Sequence, residues 1–133
     1  MKYISLVFIM LFISCKQEEK NGIIGVWKIV NTTFESDDKK IVTESGKKYL
    51  TYQYKDNIFD FKKNSDVIID NGPSSNNKIT YQKWYLKNNI LKIKGKVGTY
   101  RYKILNISKD SLKLQELPLD NKKFIYEFVR MKQ

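Results

Sequence analysis

Histidine is absent from the 133 residues, and cysteine occurs once. Without imidazole there is no Ser-His-Asp or Cys-His catalysis, and no metal site that needs a histidine ligand. A single cysteine excludes an intrachain disulfide. Proline is limited to 2 residues and glycine to 6, which rules out collagen-like and proline-rich chains. Acids are scarce beside bases: 14 Asp and Glu face 25 Lys and Arg, for a formal net charge of +11. No glycine-rich phosphate loop occurs; Gly95-Lys96-Val97-Gly98 lacks that spacing and reads as a hairpin turn. What the chain does hold is 41% hydrophobic residues, 14% of the total being aromatic. That is too apolar for a disordered chain and enough for one packed core, and the length fits one domain.

Tyr3 to Ile13 is almost wholly apolar and follows the single charge of Lys2. Eleven residues rise about 16 Å as a helix, against a hydrocarbon core of about 30 Å. The stretch is therefore too short to span a bilayer and matches the apolar region of a secretory signal. Phe12-Ile13-Ser14-Cys15 then resembles a bacterial lipobox, with Phe12 where Leu is usual. The resemblance implies cleavage after residue 14 and lipidation of Cys15. The charged run Lys16 to Lys20 would serve as a tether, and more than one acyl chain gives stable anchoring. The alternatives are a plain secretory signal with an incidental cysteine, or a buried N-terminal helix. Glu18-Glu19 resembles the surface-export signal of Bacteroidetes lipoproteins. The expected location is therefore the cell envelope, on the periplasmic or the exposed face of the outer membrane. The expected organisation is a signal peptide over 1–14, a lipidated cysteine and tether over 15–22, and one domain over 23–133. Losing residues 1–14 removes only Lys2 from the charge count, leaving 11 − 1 = +10.

Beyond residue 20 no window sustains helical apolar spacing. Short runs of Ile, Val, Tyr, Phe and Thr recur between Asn, Asp, Gly, Ser and Lys, which argues for antiparallel strands. The predicted strands are Val26–Glu35, Lys48–Lys55, Ile58–Lys62, Val67–Asp70, Lys78–Lys87, Asn89–Lys94, Thr99–Ser108, Ser111–Glu116 and Phe124–Lys132. Eight to nine strands without crossover helices predict an all-β, up-and-down antiparallel barrel, whose closure removes exposed edges. Period-2 alternation puts Phe59 with Phe61, Tyr100 with Tyr102 and Ile104, Leu112 with Leu114, and Tyr126 with Phe124 and Phe128 on shared faces. The stretch 37–46 is open between a loop, a lid and a short helix.

Gly25-Val26-Trp27 at the start of the first strand, Phe59-Asp60-Phe61 in the middle, and Tyr126-Glu127-Phe128-Val129-Arg130 at the close resemble the lipocalin-like (calycin) pattern. More closely, they resemble small lipocalin-like lipoproteins of the Bacteroidetes type. The resemblance covers roughly residues 22 to 132. It implies that Trp27 plugs the closed end of the barrel and that Arg130 lies across its ring, both structural. The lipocalin Thr-Asp-Tyr run is missing. A guanidinium over an indole face gains about 0.5–2 kcal/mol.

The candidate acid–base carboxylates Asp60, Asp66, Asp70 and Glu127 read as solvated, and Asp66 to Gly72 is too sparse for a calcium loop. No catalytic residue, metal or cofactor is expected, and the chain is not expected to be an enzyme. The basic balance is nearly all lysine, the only arginines being Arg101 and Arg130. Phosphate readers favour the arginine fork, so nucleic acid is not expected as a partner. Lysine together with much Asn, Ile, Tyr and Phe is what AT-rich coding DNA produces, on a solvated surface; attraction to anionic headgroups or glycans is the weaker alternative. The candidate ligand-binding residues are the aromatics assigned to the barrel interior: Tyr52, Phe59, Phe61, Tyr81, Tyr85, Tyr100, Tyr102, Tyr126 and Phe128. They would line a pocket for a small or hydrophobic ligand. The loops 37–46 and Asp70 to Asn77 would rim it. The rival expectation is a filled barrel acting as an interaction or inhibitor module for an envelope protein.

Overall fold

The structure, a computed structural model, describes residues 22–36, 53–117 and 122–132. Eight strands form a closed antiparallel barrel: β1 (Gly25–Ser36), β2 (Ile58–Phe61), β3 (Asp66–Asp70), β4 (Ile79–Lys87), β5 (Ile90–Lys94), β6 (Thr99–Ile107), β7 (Ser111–Leu117) and β8 (Lys122–Arg130). Each strand pairs with its sequence neighbour, and β8 returns to β1, so no strand is left with an unpaired edge.

The turns follow from local chemistry. Asn88 and Asn89 both take positive φ, at 51° and 60°, in the two-residue link between β4 and β5. Two left-handed residues are what a tight hairpin needs, and asparagine tolerates that region better than most. Ser65, at φ 71°, closes the β2–β3 turn, where the Lys62 amide donates to the Asp66 carbonyl at 2.8 Å. Between β3 and β4, Pro73–Ser75 forms a short 3-10 turn.

Alternation along each strand selects the core. Trp27, Ile29, Phe59, Phe61, Val67, Ile69, Trp84, Leu91, Ile93, Leu112, Leu114, Tyr126 and Phe128 are buried, and Ile23 joins them from below the barrel. Fully burying a side chain of this kind contributes about 1.5–3 kcal/mol. In β1 the register shifts between Ile29 and Asn31. This bulge at Val30 swaps the faces: Thr32 and Phe34, not Asn31 and Thr33, then pair with the inward Tyr126 and Phe124.

Three expectations need correction. The strand expected over Lys48–Lys55 is not one in its described part: Gln53 and Tyr54 are helical and Lys55 and Asp56 form a turn, with Asp56 at φ 68°. The barrel thus has eight strands. Tyr81 and Tyr85 are on the outer face of β4, 76% and 53% exposed. A strand can turn only one of its two faces inward, and on β4 that face is taken by Thr80, Gln82, Trp84 and Leu86. The Trp84 indole is 1% exposed; its N–H donates to the Lys62 carbonyl at 3.0 Å, and it meets the Phe61 ring edge-on at 5.6 Å. The tyrosines keep their hydroxyls in water instead.

Candidate functional site

The two ends of the barrel differ in kind. One is sealed. Trp27 is fully buried there, and its indole N–H donates to the Ile23 carbonyl at 2.8 Å. Arg130 spreads its guanidinium over the outer ring face, with Cζ 4.1 Å from the ring centroid. Its three nitrogens donate to three backbone carbonyls: Nε to Lys109 at 2.6 Å, Nη1 to Ile24 at 2.8 Å and Nη2 to Gly22 at 2.7 Å. Those carbonyls belong to chain segments that cross the barrel end, so one side chain ties them together.

The other end holds a cavity of about 760 Å³. Phe59, Phe128, Ile29, Ile69 and Ile93 line its apolar depth, and Tyr54, Tyr100, Tyr102 and Tyr126 line its side. Its rim includes Asn71 and Lys78 from the β3–β4 loop and Gly95 to Gly98 from the β5–β6 turn. Phe59 and Phe128 meet edge to face, with ring centroids 5.2 Å apart and planes at 75°, a favoured aromatic arrangement.

The polar centre of this cavity is a carboxylate among tyrosines. Glu116 follows Leu112 and Leu114 on the inward face of β7, and the Tyr126 hydroxyl donates to its Oε2 at 2.7 Å. Tyr54 and Tyr102 both stand edge-on to Tyr126, at 5.5 Å and 6.2 Å. Burial, then the Glu116 charge, push the Tyr126 hydroxyl well above the usual tyrosine range. Tyr102 is raised in the same order of causes. Asn57 and Gln82 also line the cavity, but their side-chain oxygens are fully buried without a donor, packed against Gly72 and Gly95.

The residues expected to line a pocket thus divide. Phe59, Tyr102, Tyr126 and Phe128 are brought together around the cavity, and Tyr100 is at its mouth, 49% exposed. Phe61 points inward but lies in the packed layer against Trp84, beneath the cavity. Tyr81 borders the rim from the outer face, and Tyr85 does not reach it. Tyr52, Cys15 and the stretch 37–46 lie outside the described residues. Sequence reasoning missed Glu116, Tyr54, Asn57 and Gln82. The signal for Glu116 was present, since it shares parity with Leu112 and Leu114.

The carboxylates weighed earlier for acid–base work are engaged elsewhere. Asp60 pairs with Lys62 at 2.7 Å and Glu127 with Lys113 at 3.5 Å, while Asp66 pairs with Lys83. The Lys83 ammonium holds the Asp66 carboxyl below its usual range. Asp70 Oδ1 accepts the Gly72 amide at 2.9 Å.

Comparison with curated proteins finds no match. Among solved structures, a lipocalin-like protein from Bacteroides uniformis ATCC 8492 is similar over 83% of this chain and 99% of that one, with 14% identity and a TM-score of 0.49. The family model of the lipocalin-like domain matches residues 23–114, from Ile23 beneath the barrel to the inward leucines of β7. The chain belongs to the lipocalin-like domain family.

Proposed function

We propose that the barrel binds a small hydrophobic or amphipathic ligand in its open end and works without catalysis. The observation that supports this reading is the aromatic cavity itself. Its volume of about 760 Å³ lies within the range of about 300–1,000 Å³ usual for ligand sites. Its lining combines apolar rings with a few polar groups, the mix that buries a ligand body while orienting one end. The protein acts at the cell envelope, held to the outer membrane through lipidated Cys15, on its periplasmic or exposed face. That part of the reading rests on the run Phe12 to Cys15 and the apolar stretch before it.

Mass spectrometry of natively purified protein tests both parts. The expected result is an acylated N-terminal cysteine and a co-purified small molecule. A chain that carries no ligand and takes up no N-phenyl-1-naphthylamine refutes the binding role. Cys15→Ser should move the protein into the soluble fraction, and unchanged membrane fractionation refutes the anchor.

A second reading, a module that binds another envelope protein, is favoured by one observation. Tyr81 and Tyr85 stand exposed on the outer face of β4, on the same side as Lys83 and Lys87. Aromatic side chains without a packing role are the residue type that anchors interfaces. Capture of a specific envelope protein by the wild-type chain, and not by a Tyr81→Ser, Tyr85→Ser variant, would favour this reading.

A further inference from the structure

Among the described residues, the cavity carries one carboxylate within its aromatic wall, that of Glu116. The Tyr126 hydroxyl satisfies one position on this carboxylate, which can accept about four hydrogen bonds. No lysine or arginine among the described residues forms an ion pair with it. Around the carboxylate stand Tyr54, Tyr102 and Tyr126, with their rings in edge-to-face contact. Tyrosine ring faces are negative and attract cations. A half-enclosed carboxylate with one neutral partner is a costly arrangement until a cation joins it.

From this we infer that the cavity selects a protonated amphipathic amine, its ammonium on Glu116 among the tyrosines and its alkyl or aromatic body against Phe59 and Phe128. The inference rests on the proposal that the barrel holds a ligand and specifies the headgroup. An ammonium brings three donors and no acceptor, which complements a carboxylate with unused acceptor positions. The opposing charges are Lys78 and Lys96, which also border the cavity. Both are exposed on rim loops, where solvent and salt screen them. The overall charge of +11 also repels cations and attracts anions in bulk. Any preference for an amine must therefore come from the site itself.

Octylamine, octanol and octanoate share a chain and differ in headgroup. Titration of the full chain with each, by calorimetry at neutral pH, separates headgroup recognition from burial of the chain. Octylamine should bind at least about tenfold more tightly than octanol, a difference of about 1.4 kcal/mol. Glu116→Gln should bring octylamine to the octanol level and leave octanol unchanged. The comparison on the unaltered chain stands even if that variant folds poorly. Octanol or octanoate equalling the amine overturns the inference while leaving a ligand-binding barrel. So does an amine preference that survives in Glu116→Gln. If none of the three binds but N-phenyl-1-naphthylamine does, the amine inference alone fails. If that probe is not taken up either, the ligand-binding proposal fails with it.

Discussion

Arg130 lies across the indole of Trp27 at 4.1 Å and reaches past it to three backbone carbonyls. The contact joins the first strand to the last, so the seal on the barrel and its closure share one side chain. Trp27→Ala should destabilise the fold by about 3–5 kcal/mol, because the surrounding core cannot collapse into the space of an indole. Arg130→Lys should cost about 1–3 kcal/mol: an ammonium keeps the charge but loses the fork that bonds three carbonyls at once. Urea unfolding followed by tryptophan fluorescence measures both. A near-neutral Trp27→Ala is incompatible with a buried plug.

Gly25 is constrained by the same arginine. Its φ is +134°, and a Cβ placed there would run into Arg130 Nη1. Gly25→Ala should therefore be destabilising on two counts, backbone strain of about 1–3 kcal/mol and displacement of the guanidinium. In an Arg130→Ala background the second cost disappears. The double-mutant cycle should show the two substitutions together costing about 1 kcal/mol or more less than the sum of their separate effects. Strict additivity in urea denaturation would mean that the contact does not hold the arginine in place.

How far these features could be read from the sequence varies along the chain. Strand positions were legible because turn residues punctuate them: Asn64-Ser65, Asn88-Asn89 and Lys109-Asp110 each lie between paired strands. Faces were legible where aromatics occupy one parity, as at Phe59 and Phe61 or Phe124, Tyr126 and Phe128. On β4 both parities carry aromatics, Tyr81 and Tyr85 against Trp84, and only the packing demand of the indole decides between them. The bulge at Val30 leaves no pattern of its own and reverses the parity that follows. Glu116 was passed over for the opposite reason. Its parity was plain, but a carboxylate inside a barrel goes against the rule that charge faces water.

The tyrosines around Glu116 predict an alkaline weakness. Burial and the Glu116 charge raise the hydroxyls of Tyr126 and Tyr102 in the folded state, whereas unfolded tyrosine ionises near about pH 10. Below that pH both states hold the proton and the stabilisation is complete. Above it the unfolded chain releases protons that the folded chain keeps, so stability falls as pH rises. Thermal melts from pH 8 to 11.5 should show the midpoint dropping from about pH 10. Tyr126→Phe should flatten part of that drop relative to the wild type. At neutral pH the same variant should cost about 1–3 kcal/mol, since it removes the donor to Glu116. An unchanged alkaline slope in the variant would show that lysine deprotonation, not this cluster, governs the loss.

Filling the mouth should separate binding from folding. Thr80 borders the cavity on the inward face of β4, at the end of the strand away from the packed layer around Trp84. A tryptophan there would occupy space now open to a ligand and displace little of the core. Overpacking in a tight interior costs about 1–3 kcal/mol; at this rim the cost should fall at or below the low end of that range. Thr80→Trp should therefore unfold at nearly the wild-type urea midpoint yet lose most of its uptake of N-phenyl-1-naphthylamine. Unaltered uptake in a folded variant would place the probe outside the barrel, on a surface such as the one bearing Tyr81 and Tyr85.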